Sequence, residues 1–404
     1  MLSDREITFV RERLDDDIHG LLLSKHRFSG IDIPLCVRQI EGLRKLRDKV
    51  PEWFACRQIY IPSLQAVEQA SSAQTAAYKT RFAVGDEPVV DMTGGLGVDA
   101  YFFAKEREHV IYAEKEDTLC RAAEYNFQVL GIGGRISVLN RDAGRLWEGS
   151  NIPYASLVYA DPSRRDEKGR RLYEIGSCSP DVTRLRESVL DRAGAFLVKV
   201  SPLADISRTL SLLPGSVEVH VVSSGNECKE LLFLIKRNEA DADDPLIVCS
   251  DGFSFRRGEE AGAADVLRRE GLPGVLREGS FLYEPGTSLL KAGAFALPVF
   301  RYGVEKIHRN SHLYTSDRAV PHFPGRKFVI REVVPFTSGN MKKLNTRFPK
   351  ANMTVRNFPL SVDQWRKKTG IIEGGTIYLF GTTAYIAGKE TRVIIYTTKS
   401  EENI

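Results

Sequence analysis

The chain has 404 residues with 57 Lys+Arg against 53 Asp+Glu, a net charge of +4, and 42% hydrophobic residues, enough to build the cores of two or three domains. No apolar run approaches the roughly 18 residues that cross a bilayer, and the opening Met1-Leu2-Ser3-Asp4-Arg5-Glu6 lacks a signal-peptide pattern. The six cysteines (36, 56, 120, 178, 228 and 249) are scattered without a C-x-x-C, so neither disulfides nor a zinc site is expected, and a cytoplasmic, multi-domain protein fits best.

Residues 1–80 are rich in helix formers, with apolar positions at helical spacing through Ile40, Leu43, Leu46 and Val50, and predict an N-terminal helical lobe. Pro88-Val89-Val90 reads as the end of a buried parallel strand and Ala100-Tyr101-Phe102-Phe103-Ala104 as the first turns of a helix. Between them stands Asp91-Met92-Thr93-Gly94-Gly95-Leu96-Gly97-Val98-Asp99, a strand-turn-helix corner of the kind that binds nucleotides. Gly95 to Ala100 formally fits the dinucleotide pattern G-x-G-x-x-G/A, but an acid at each end would repel a pyrophosphate. Those acids suit a ligand that carries an ammonium and a sulfonium. No G-x-x-x-x-G-K-[ST] is present, which excludes a P-loop.

Three more predicted strands end in acids. Val110-Ile111-Tyr112-Ala113 leads to Glu114, 23 residues after Asp91, where a carboxylate can hold ribose hydroxyls. Ile136 to Leu139 leads to Asp142-Ala143, where the acid either accepts from an adenine amino group or caps the following helix. Leu157-Val158-Tyr159-Ala160 leads to Asp161-Pro162-Ser163-Arg164-Arg165, which is either a site loop or an ordinary turn. Arg164, Arg165, Lys168, Arg170 and Arg171 form a basic cluster that by itself reads as a solvated charged face and, placed beside the crevice, as a hold for substrate phosphate. Ala195 to Val200 predicts a fifth buried strand, and Val217–Val222 with Leu231–Ile235 an antiparallel closing pair joined by a turn over Asn226–Glu230. Ser223-Ser224-Gly225 is not a nucleophile elbow, since no G-x-S-x-G occurs.

Glu239-Ala240-Asp241-Ala242-Asp243-Asp244-Pro245 marks an acidic boundary, and the stretch after it reads as a linker. Tyr283 to Asp317 reads as an αβ-type segment with a helix near Ser288–Gly293. Strands over Lys327–Val334, Asn352–Arg356, Thr376–Phe380 and Thr391–Tyr396, with a helix at Asn340–Asn345, predict a small α+β module. His308 and His312, four apart, could share a helix face and are read as structural or RNA-contacting, not as metal ligands. Residues 321–404 hold 14 Lys+Arg and 6 Asp+Glu, a balance of +8, which leaves −4 for residues 1–320. A basic module on a mildly acidic enzyme reads as a grip for polyanions.

In order and spacing, Asp91 to Asp99, Glu114, Asp142 and Asp161-Pro162 resemble the motifs of class I S-adenosylmethionine-dependent methyltransferases over residues 60–240. The lead-in Gln69 to Lys79 resembles that of RNA methyltransferases related to trimethylguanosine synthase, and the C-terminal module resembles a THUMP domain preceded by a ferredoxin-like piece. The resemblance implies a Rossmann-like α/β core at 81–240 behind a helical lobe at 1–80. A linker and ferredoxin-like segment at 241–320 and a basic THUMP-like α+β domain at 321–404 would follow. It implies S-adenosylmethionine as cofactor, with Asp91, Thr93, Gly94, Gly95, Gly97 and Asp99 around the methionine part. Glu114 would hold the ribose, and Asp142 with Ala143 the adenine. Asp161 and Pro162 with Arg164 would face the methyl acceptor, and Arg164, Arg165, Arg170 and Arg171 would hold a structured RNA such as tRNA or rRNA. Amine-methylating relatives carry a second proline and an aromatic after the first proline; Ser163-Arg164 stands there instead, so base stacking would fall to Arg164 or Tyr173. Two other readings stay open, a methyltransferase of a protein or small molecule and a non-catalytic RNA-binding protein on a vestigial cofactor fold.

Overall fold

The computed structural model describes residues 1–23, 25–149, 151–163, 175–237, 243–270 and 274–400. The chain divides into two compact units, Met1–Glu218 with Lys229–Asp243, and Val219–Cys228 with Asp244–Ile404.

The first unit opens with six helices, α1 (Asp4–Glu12), α2 (Ile18–Leu23), α3 (Ile33–Lys49), α4 (Pro51–Ala55), α5 (Leu64–Gln69) and α6 (Ala73–Lys79). A capping box of Ser3 and Glu6 starts α1. Asp32 and a proline in the first turn start α3, whose Ile33, Cys36, Val37, Ile40, Leu43 and Leu46 form one buried stripe. Ser72 caps α6 and accepts from the Thr75 N–H at 3.2 Å.

The first unit holds β1 (Val89–Asp91), β2 (Val110–Glu114), β3 (Ile136–Asn140), β4 (Leu157–Ala160) and β5 (Phe196–Val200), the start of β6 (Ser216–Ser224) and most of β7 (Glu227–Ile235). In the order β3-β2-β1-β4-β5-β7-β6 they are seven strands of a nine-stranded sheet. The first five strands are parallel and β7 runs antiparallel to β5. Parallel strands are covered on both faces and read as continuous apolar runs; β1 and β4 are buried at every position. α7 (Val98–Glu106), α8 (Asp117–Val129), α9 (Val182–Leu190) and α10 (Ile206–Leu212) complete the unit.

The turn between β6 and β7 is shorter than expected. Gly225 (φ 59°) and Asn226 (φ 64°) make the reversal alone, as a two-residue hairpin loop with positive φ at both positions does, and residues 227–230 belong to the strand.

The second unit is structured where a linker was expected. β8 (Leu246–Cys249), β9 (Ser254–Arg256) and α11 (Arg257–Glu270) fill residues 246–270. A seven-stranded sheet follows, of β10 (Phe281–Pro285), β11 (Glu305–Lys306), β12 (Tyr314–Ser316), β13 (Gly325–Pro335), β14 (Asn352–Arg356), β15 (Ile377–Ile386) and β16 (Lys389–Lys399). Its order is β11-β12-β10-β13-β16-β15-β14. α12 (Thr287–Ala292) and α13 (Leu297–Tyr302) lie between β10 and β11, while α14 (Ser338–Arg347) and α15 (Val362–Thr369) flank β14. Trp365, Leu344, Leu379 and Ile394 form one core of this sheet, and Leu282, Phe328, Phe380 and Ile395 another. His308 and His312 share no helix. They lie in the loop between β11 and β12, where His308 Nε2 meets Glu390 at 3.0 Å and His312 stacks on Phe295. Among the described residues no helix is long and apolar enough to cross a membrane.

Candidate active site

Parallel pairing brings the carboxyl ends of β1 to β4 to one edge of the sheet, and the four acids of the sequence reading stand there. Asp91 is the last residue of β1 and Glu114 of β2, Asp161 follows β4 directly, and Asp142 comes two residues after β3.

The turn after Asp91 is shaped by packing as well as by ligand access. A side chain at Gly94 would place its Cβ 2.1 Å from the Tyr112 ring, and one at Gly97 (φ 94°) 2.8 Å from Phe127. Tyr112 is fully buried and donates its hydroxyl to the Gly95 carbonyl at 2.6 Å, so the ring cannot withdraw. Gly95 differs, since a Cβ there meets nothing closer than the Thr93 carbonyl at 3.8 Å. Gly94→Ala is therefore expected to cost about 1–3 kcal/mol of overpacking or more. Gly95→Ala should cost only the ~1 kcal/mol of a left-handed residue. Thermal unfolding of the two variants checks this, and equal losses would remove Tyr112 as the reason for a glycine at 94.

The acids occupy different states. Asp91 is 1% exposed, and its carboxylate accepts from the Thr93 N–H at 3.1 Å. Among the described residues no cation lies within ion-pair distance of it. Burial pushes its carboxyl well above the usual range, and Asp99 and Asp161 add to the rise. Glu114 accepts from the Gly95 N–H and the Glu116 N–H, both at 3.0 Å, which fixes the carboxylate at the rim of the turn. Asp142 caps the 3-10 turn that begins at Ala143, accepting from the Gly144 N–H at 2.8 Å.

Asp99, expected to face the ligand from the first turn of α7, turns to protein partners instead. Its Oδ1 takes the Lys79 ammonium at 3.0 Å, and its Oδ2 takes the hydroxyls of Ser71 at 2.8 Å and Tyr159 at 3.2 Å. Burial alone would raise its pKa, but Lys79 and Lys199 hold it below the usual range. Asp161 donates its backbone N–H to Thr93 Oγ1 at 2.7 Å, which ties the β4 tip to the β1 turn. Its Oδ2 meets Lys199 at 2.5 Å. Pro162 is buried beside it, and Arg164, Arg165, Lys168, Arg170, Arg171 and Tyr173 lie outside the described residues.

Three charged residues of this neighbourhood carried no role in the sequence reading. Lys79 ends α6 with no side-chain exposure and bridges Asp99 and Glu230. Lys199 lies on β5, and Glu230 on β7. The available signal was a charge within or beside an apolar strand, at Lys199 in Phe196–Val200 and at Glu230 before Leu231–Ile235. Among the described residues no cluster of His, Cys, Asp and Glu could hold a metal ion.

A parallel sheet of order 3-2-1-4-5-7-6 with a reversed seventh strand, lined by acids at its tips, defines a class I methyltransferase core. The C-terminal part matches two families, one described as a ferredoxin-like domain over residues 281–324 and one described as THUMP domain-like over residues 325–399. The crystal structure of a "putative methyltransferase" from Porphyromonas gingivalis W83 is 33% identical with a TM-score of 0.85, over 99% of this chain and 100% of that one. The chain belongs to the methyltransferase family of this Porphyromonas gingivalis protein. An rRNA methylase from Streptococcus thermophilus is 15% identical with a TM-score of 0.31, over 40% of this chain and 95% of its own. TrmK of M. capricolum in complex with S-adenosylhomocysteine is 9% identical with a TM-score of 0.31, over 49% and 86%. Among curated proteins nothing matches.

Proposed function

We propose that the chain uses S-adenosylmethionine to methylate a structured RNA, a tRNA or an rRNA. The observation that carries the cofactor assignment is Asp91, a carboxylate buried at the head of the site without a countercharge among the described residues. A buried charge is stable only when paired, and the α-ammonium of the methionine part supplies the pair. A dinucleotide would bring a phosphate to the same place. Glu114, already oriented by two backbone N–H groups, keeps lone pairs for ribose hydroxyls. Asp142 and Ala143 lie where the adenine would sit, while Thr93, Gly94, Gly95 and Gly97 form the wall of the methionine pocket. When bound, the cofactor supplies an electrophilic methyl group on a sulfonium and leaves as a neutral thioether. The protein's task is then to position the acceptor and manage its proton.

RNA as substrate rests on the THUMP domain-like match and on charge. Lys342, Lys343, Lys350, Lys367 and Lys368 are all exposed in or beside α14 and α15, and none forms an ion pair among the described residues. Arg164, Arg165, Arg170 and Arg171 would add phosphate contacts next to Asp161.

Calorimetric titration of the full chain should give micromolar binding of S-adenosylmethionine and none of NAD. The reverse would overturn the cofactor assignment. Five phosphate contacts predict a slope of about −4 in log K against log salt, hence roughly a 10²-fold loss of RNA affinity between 50 and 200 mM. A flat response would remove the electrostatic grip and return weight to a protein or small-molecule substrate.

A further inference from the structure

Five side chains at the acceptor end of the site form a line of alternating charge, Asp161, Lys199, Glu230, Lys79 and Asp99. Lys199 Nζ lies 2.5 Å from Asp161 Oδ2 and 3.9 Å from Glu230 Oε2. Lys79 Nζ lies 3.0 Å from Glu230 Oε1 and 3.0 Å from Asp99 Oδ1. They come from the β4 tip, β5, β7, α6 and α7, so only the tertiary fold assembles them. The line runs from open to buried. Side-chain exposure falls from 32% at Asp161 through 17% at Lys199 and 3% at Glu230 to 0% at Lys79, and is 11% at Asp99. Its open end is thus an acid–ammonium pair beside the crevice, held from behind by a buried acid that a second lysine neutralises. Buried ion pairs are rarely retained for stability alone, and perturbed charge clusters concentrate at functional sites.

We infer that this array selects a hydroxyl as methyl acceptor, so that the methylated atom is a ribose 2′-oxygen; the inference rests on the RNA methyltransferase reading above. Transfer of a methyl group to a neutral amine places positive charge on nitrogen, and an ammonium fixed beside that nitrogen opposes the transfer. Transfer to a hydroxyl has the opposite demand. The oxygen gains negative character as its proton leaves, and Lys199 stabilises it. Asp161 Oδ1, which has no partner among the described residues, takes the proton. The balance is complete: the O–H bond breaks toward Asp161, an oxygen lone pair forms the O–C bond, and the C–S pair stays on sulfur. Glu230 and Lys79 are positioning residues, which keep Lys199 charged and aimed at Asp161. Ser163 at the place of the second proline, and no aromatic after it, accords with an acceptor that is not a stacked base amine.

The test uses the full chain, methyl-labelled S-adenosylmethionine and a set of unmodified tRNA and rRNA transcripts, with the product digested to nucleosides and separated by mass. Label is expected in 2′-O-methylnucleosides, and after alkaline hydrolysis in dinucleotides, since a 2′-O-methyl group blocks strand cleavage. Label in base-methylated nucleosides overturns the hydroxyl assignment and leaves the RNA methyltransferase reading standing. No label in RNA, with S-adenosylhomocysteine still bound in calorimetry, overturns that reading and this inference with it. Lys199→Met is expected to lower turnover by about 100-fold or more while S-adenosylhomocysteine affinity stays within threefold, and Lys199→Arg to recover part of the loss. Turnover within threefold of the parent in Lys199→Met would remove the ammonium from the acceptor chemistry.

Discussion

Asp91→Asn is expected to make the free chain more stable and to remove its cofactor binding. The parent carboxylate is buried with the Thr93 N–H as its partner and with Asp99 and Asp161 as like-charged neighbours. Its charged form is therefore disfavoured in the folded state, and an isosteric amide relieves about 1–3 kcal/mol of that cost. For a unit of this size each kcal/mol is worth roughly 2–4 °C in the unfolding midpoint. The pH dependence has a definite sign. The folded carboxyl titrates above its unfolded value, so its contribution to stability is full below the unfolded value and is lost as pH rises through the folded one. The advantage of Asp91→Asn should thus be small in acid and grow toward neutral pH. Ligand linkage points the other way: at a hundredfold excess over Kd, S-adenosylhomocysteine stabilises the parent by about 2.7 kcal/mol, and the variant should show no such shift. Thermal unfolding with and without the ligand at pH 5 and 7.5 reads both effects. A variant that still binds S-adenosylhomocysteine within a few-fold of the parent would mean that Asp91 is not the ammonium partner.

The strand tips were legible in the sequence because a buried parallel strand is an apolar run and the first polar residue after it marks the tip. Asp91, Glu114 and Asp161 follow that rule within one residue. What local patterns do not carry is the partner of each acid. Asp99 and Asp91 look alike in sequence, yet Lys79, 20 residues upstream, neutralises one and not the other. The polar run Asn226–Glu230 predicts a turn that includes Glu230. Two positive-φ residues reverse the chain earlier, and Glu230 becomes a buried strand residue whose partner Lys79 lies 151 positions away. Lys199 stands in an apolar strand where a lysine is unfavourable unless paired. That breach of the pattern is the local trace of the site. The spacing of His308 and His312 suggested a helix, but four residues apart says little when the intervening backbone turns, with His312 at φ 50°.

Lys79→Met should be the most destabilising single change in the charged line. The side chain has no exposure, and its ammonium contacts Asp99, Glu230 and Ser71 at 2.9–3.0 Å. Methionine matches its volume but takes the ammonium from two carboxylates, leaving Glu230 with the more distant Lys199 and Asp99 with the Ser71 and Tyr159 hydroxyls, a loss of about 3–5 kcal/mol, or roughly 10 °C in the midpoint. Acid should shrink this loss. Burial already holds Glu230 above its usual range against the opposing pull of Lys79 and Lys199, so without Lys79 it rises further. Asp99 in the parent lies below its usual range, where burial is outweighed by Lys79 and Lys199, and contributes stability above its unfolded value that is lost as pH falls. The loss of the Asp99 contribution lies below its unfolded value and so below pH 5, whereas the further-raised Glu230 of the variant gains stability between pH 7.5 and pH 5, so the two midpoints should converge over that range. Adding Glu230→Gln to Lys79→Met should return about half of the loss, since one of the two stranded charges is gone. An unchanged gap across pH, or no return in the double variant, would mean that Lys79 acts through packing and not as the countercharge. The same double variant separates stability from chemistry. It removes one of the two charges that lose the Lys79 ammonium, yet also the acid that holds Lys199 toward Asp161, so it should be folded, bind S-adenosylhomocysteine, and still transfer methyl groups poorly.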